Sequence, residues 1–77
     1  MRWCVMQSMK HGKWVLAVMS DDFARYQVTD IMSDDVNRVV RYADYLNGKI
    51  PPERITDKSL LEKLDAMEER YKDFSCI

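Results

Sequence analysis

Two short stretches, Trp3 to Met9 and Trp14 to Met19, are rich in aromatic, β-branched and thioether side chains, and the turn-forming pair His11-Gly12 stands between them. This arrangement predicts an antiparallel hairpin with a two-residue loop. Because side chains alternate across a strand, such a loop places Trp3, Val5, Gln7 and Met9 on one face with Trp14, Leu16 and Val18. Cys4, Met6 and Ser8 then share the other face with Val15, Ala17 and Met19. The tryptophan face is the expected core. From Arg25 to Ile31 the chain alternates Tyr26 and Val28 against Arg25, Gln27 and Thr29, the pattern of a half-exposed third strand, with Ser20-Asp21-Asp22 as the turn before it. An odd number of loop residues would put Tyr26 and Val28 on the tryptophan face.

The periodicity then changes. Val36, Val39, Val40, Ala43 and Leu46 recur at helical spacing, and Gly48 follows where a left-handed residue ends a helix. Ser33 or Asp34 is the expected N-cap, with neighbouring acids favoured by the helix dipole. Ile50-Pro51-Pro52-Glu53 is a stiff connection, since each proline holds its predecessor extended. A second helix is expected to begin near Thr56 or Asp57. It carries a stripe of Leu60, Leu64, Met67, Tyr71 and Phe74, flanked by Leu61, while Glu62, Lys63, Glu69 and Arg70 face water. The pattern therefore predicts one α+β domain over residues 1–77, a three-stranded antiparallel sheet followed by two helices in the order βββαα.

Composition narrows the classes of function. A chain of 77 residues has a small core, so a partner or self-association, such as a homodimer, would help to stabilise it. With 47% apolar and 32% charged residues and only 2 Gly and 2 Pro, it reads as an ordered globular domain. Neither a membrane-spanning run nor a secretory leader is seen, so a soluble, cytoplasmic protein is expected. The net charge is −1, which does not favour direct binding to nucleic acid, although Lys10, Lys13, Arg38 and Arg41 could serve phosphates in an alternative reading as a nucleic-acid-binding regulator. Cys4 and Cys76 lie near opposite ends of the chain, which fits neither a disulfide framework nor the paired spacing of a zinc site.

Met-Ser-Asp-Asp occurs twice, at Met19–Asp22 and Met32–Asp35. The pairs Asp21-Asp22 and Asp34-Asp35 could form an acidic patch. However, a seven-residue strand between them keeps them on the order of 20 Å apart, and neither copy has a calcium-loop pattern. A turn and a helix cap are the expected roles. The single histidine, His11, sits at a predicted loop tip without walls, and Cys4 is too far along the strand to pair with it. Gly-rich phosphate loops, G-x-S-x-G and C-x-x-C are all missing, so we expect no enzyme activity, no metal and no cofactor. Arg38, Arg41, Tyr42 and Tyr45 recur at i, i+3, i+4 and i+7, on the helix face opposite Val36, Val40 and Ala43. Arginine and tyrosine dominate binding hot spots, so these four residues are the expected partner-binding site, the alternative being that the second helix folds back over them. If the first helix covers the tryptophan face, the reverse face of the sheet, with Cys4, Met6, Val15, Ala17 and Met19, needs the second helix, another subunit or a partner to cover it.

The stretch DDVNRVVRYADYLNG followed by SLLEKLDAMEERY resembles the C-terminal part of small phage-encoded anti-CRISPR proteins, through Asp34, Asp35, Tyr42, Ala43, Asp44, Tyr45 and Leu46. The resemblance implies an inhibitor that blocks a host protein or ribonucleoprotein complex in the host cytoplasm. Members that imitate DNA are strongly acidic, whereas here Arg38 and Arg41 fall inside the matching segment. Direct contact, and not DNA mimicry, is therefore the expected mode.

Overall fold

A computed structural model describes residues 2–72. The expected order is found: β1 (Arg2–Ser8), β2 (Lys13–Met19) and β3 (Tyr26–Ser33) form an antiparallel sheet in the order β1-β2-β3. α1 (Val36–Leu46), a 3-10 turn (Pro52–Arg54) and α2 (Lys58–Tyr71) follow. Phe74 and Cys76 lie outside the described residues.

The hairpin differs from its expected form in loop length. Ser8 pairs with Lys13, leaving Met9, Lys10, His11 and Gly12 as the loop, and the Gly12 N–H donates to the Ser8 carbonyl at 2.8 Å. Gly12 takes φ +64°, a conformation open to glycine without cost. Lengthening the loop from two residues to four keeps its parity, so the face assignment of β1 against β2 is preserved, with Trp3 opposite Val18 and Val5 opposite Leu16. Met9 leaves the sheet and is exposed.

The third strand corrects the expected register. Met19 pairs with Tyr26, so the connection Ser20–Arg25 has an even number of residues and Tyr26 and Val28 fall on the reverse face with Met19 and Ala17. Ala17 then pairs with Val28 and Val15 with Met32, so the ladder shifts between Val15 and Ala17, with Thr29, Asp30 and Ile31 lying opposite Leu16. Alternation continues through the bulge, so Thr29 and Ile31 point inward, where both are buried. The Thr29 hydroxyl repairs the interrupted ladder by donating to the Leu16 carbonyl at 2.7 Å and accepting from the Ile31 N–H at 3.3 Å.

Both helices lie on the tryptophan face. Trp3, Leu16, Val18 and Ile31 of the sheet pack with Val39, Ala43 and Leu46 of α1, with Ile55, and with Leu64 and Met67 of α2. Trp3 meets Tyr71 edge to face at 6.1 Å. The N-cap of α1 is Asp35, not Ser33 or Asp34, and its carboxylate accepts from the Asn37 N–H at 3.0 Å. Gly48, at φ +79°, donates to Tyr45, and Lys49 donates to Asp44, which is the two-bond pattern that closes a helix with a left-handed residue. Asn47 also stitches α1 to the sheet edge: its side chain accepts from the Trp3 N–H and donates to the Trp3 carbonyl, both at 2.9 Å. α2 starts as expected, after the N-cap Asp57.

Candidate functional site

The expected Arg-Tyr face of α1 is split by the packing. Val40, expected to face the core, is 40% exposed, while Val39, Ala43 and Leu46 are buried. The buried arc is thus rotated toward the tyrosines. Tyr42 and Tyr45 are half-buried against the core, and the Tyr45 hydroxyl donates to Asp65 of α2 at 2.6 Å. That bond, followed by partial burial and the nearby Asp65 and Glu68 charges, pushes the phenol up to about 12. Tyr45 is therefore engaged as a strut between the helices. Arg38 and Arg41 remain exposed.

A third arginine joins them. Arg38, Arg41 and Tyr42 line a groove of about 180 Å³ together with Arg54, Ile55, Thr56, Asp57 and Leu60. Pro51 is extended, at φ −77° and ψ 160°, and the following 3-10 turn brings the chain back to α1, where Ile55 is buried in the core. This anchor holds Arg54 beside the α1 arginines. No carboxylate among the described residues lies within ion-pair distance of Arg38, Arg41 or Arg54. The Ile50–Glu53 segment gave only a connection in sequence, because closeness of Arg54 to α1 depends on a return path that periodicity does not encode.

The acidic pairs serve local structure. In the β2–β3 connection, Asp22 accepts from the Ser20 hydroxyl at 2.6 Å and from the Ala24 N–H at 3.0 Å; these bonds, in that order, hold its carboxyl below the ordinary value. Asp21 and Asp34 are exposed, and Asp35 caps α1. The register places Asp21-Asp22 and Asp34-Asp35 beyond opposite ends of β3, so the two pairs do not converge. Among the described residues, no group of three His, Cys, Asp or Glu side chains could hold a metal ion, and no helix is long and apolar enough to cross a membrane. His11 is exposed in the hairpin loop, and Cys4 is half-buried on β1, where desolvation raises its thiol above the ordinary value despite the opposing effect of Arg2.

The largest unexplained feature is the reverse face of the sheet. Neither helix covers it. Tyr26, Val28 and Met32 are 58%, 43% and 37% exposed, and with Met6 and Val15 they wall a depression of about 270 Å³ whose rim includes Lys10 and His11. Elsewhere, in the β2–β3 connection, Phe23 is 61% exposed, lines a groove with Trp3, Val40 and Asn47, and adopts φ 60°, where a bulky L side chain is strained. Comparison of the chain with family models, curated proteins and solved structures gives no match.

Proposed function

We propose that this chain is a non-enzymatic binding protein that acts by covering a surface of a partner protein, with the uncovered face of its sheet as the contact. The observation that carries the reading is the exposure of Tyr26, Val28 and Met32 on a face that neither helix reaches. An antiparallel sheet with one solvated face normally alternates apolar and polar positions, so an apolar outer face is a signal for contact. Its composition supports an adaptable protein interface: an aromatic anchor, methionines that repack at little cost, and a polar rim of Gln7, Ser8, Lys10 and His11. The resemblance of the α1 and α2 segments to phage inhibitors makes a host defence complex the partner class to try first.

The test is affinity capture from host lysate with wild-type bait and a Val28→Asp bait side by side. Val28 is 43% exposed, so the variant should fold with nearly unchanged melting temperature while losing the captured protein. Capture unaffected by Val28→Asp would remove the sheet face from the function.

A further inference from the structure

We propose that Arg38, Arg41 and Arg54 form a receptor for the side-chain carboxylates of an acidic protein segment. The proposal does not rest on the sheet-face contact, because the groove belongs to the helical layer. Three guanidinium groups lining one groove with no acid among the described residues in ion-pair range repel one another, and a bound anion relieves that repulsion. The chain does not lack acids to pair them, since it has 13 Asp and Glu against 12 Lys and Arg. The one carboxylate in the groove lining, Asp57, is committed to capping α2, accepting from the Leu60 N–H at 3.2 Å.

Guanidinium groups match a carboxylate fork with two parallel hydrogen bonds. The apolar lining from Ile55 and Leu60 suits the methylenes of a glutamate, and the Thr56 side chain adds a hydroxyl. A nucleic-acid backbone fits less well. It needs an extended basic track, whereas this groove is short, includes Asp57, and belongs to a chain of net charge −1. A carboxylate presented on a mixed-charge protein surface meets no such penalty.

The experiment is a titration of the intact chain followed through the arginine Nε–Hε signals in nuclear magnetic resonance. The probes are a capped hexaglutamate peptide, inorganic phosphate and a short DNA duplex. We expect the peptide to shift Arg38, Arg41 and Arg54 together with a dissociation constant of about 1 mM at low salt, weakening as salt rises. Arg54→Gln should weaken binding about fivefold or more without lowering the melting temperature, and Arg54→Lys should restore only part of the loss, because lysine keeps the charge without the fork. Absence of shifts at about 10 mM peptide, full recovery by Arg54→Lys, or tighter binding of phosphate or duplex than of peptide would each overturn the proposal.

Discussion

Phe23 shows how one backbone position can shape both a turn and a surface. Its N–H donates to the Ser20 carbonyl at 3.0 Å, and the Ser20 N–H donates to Arg25 at 3.0 Å, so the β2–β3 connection closes around a left-handed residue. Glycine would adopt that conformation without the Cβ penalty, and little is buried at this site. Phe23→Gly should therefore leave stability unchanged or raise it by up to about 1 kcal/mol in chemical denaturation. A marked loss of stability would show that the ring packs on its surroundings. Tyr45 supplies a pH-dependent counterpart. Its phenol is raised from 10.0 to about 12 by donation to Asp65, so the bond contributes fully below pH 10 and is lost as pH rises through about 12. The melting-temperature advantage of wild type over Tyr45→Phe should accordingly hold near neutral pH and vanish or invert at the alkaline end, where the phenolate faces Asp65 and Glu68. An advantage that persists unchanged above that range would contradict the assigned bond.

At the scale of elements, what could be seen in the sequence was what depends on period and parity. The two helices, Gly48 as the left-handed stop and the pairing faces of β1 and β2 follow from apolar spacing, and an even hairpin loop keeps those faces whether it has two residues or four. The orientation of β3 was hidden because it depends on counting the Ser20–Arg25 loop, and phenylalanine carries no propensity for the positive φ that shapes it. The bulge was hidden too, since Thr29 reads as an outward polar residue until its hydroxyl is seen to hold the Leu16 carbonyl. The adjacent valines of α1 posed the same difficulty: Val39 is buried and Val40 exposed, although either fits the apolar stripe. The bulge makes a direct test. Thr29→Val preserves shape but leaves the Leu16 carbonyl and the Ile31 N–H without their partner, so it should cost about 1–3 kcal/mol in urea unfolding. A neutral result would mean that the ladder relaxes to pair these groups itself.

For the molecule as a whole, layering decides which surface is free. Both helices are needed on the tryptophan face, where Leu64 and Met67 complete the core begun by Trp3, Leu16 and Val39, and a chain of 77 residues has no further helix among its described residues to place over the other side. That economy leaves Tyr26, Val28 and Met32 in water and raises the question of whether the chain covers them with a second copy of itself. Only Tyr26, Val28 and Met32 are exposed large apolar residues on this face, far fewer than the roughly 20–30 residues a side that a standard stable interface buries. We therefore expect sedimentation equilibrium to find a monomer at about 10 µM, with any weak association at higher concentration abolished by Val28→Asp. The contrast with a core substitution makes the result interpretable. Leu64 is 0% exposed, and Leu64→Asp should unfold the chain, whereas Val28→Asp should keep the near-ultraviolet dichroism of the native fold. A dimer at micromolar concentration that Val28→Asp converts to folded monomer would identify the second copy as the occupant of the face, and the surface remaining for a partner would then be the arginine groove on the helical side.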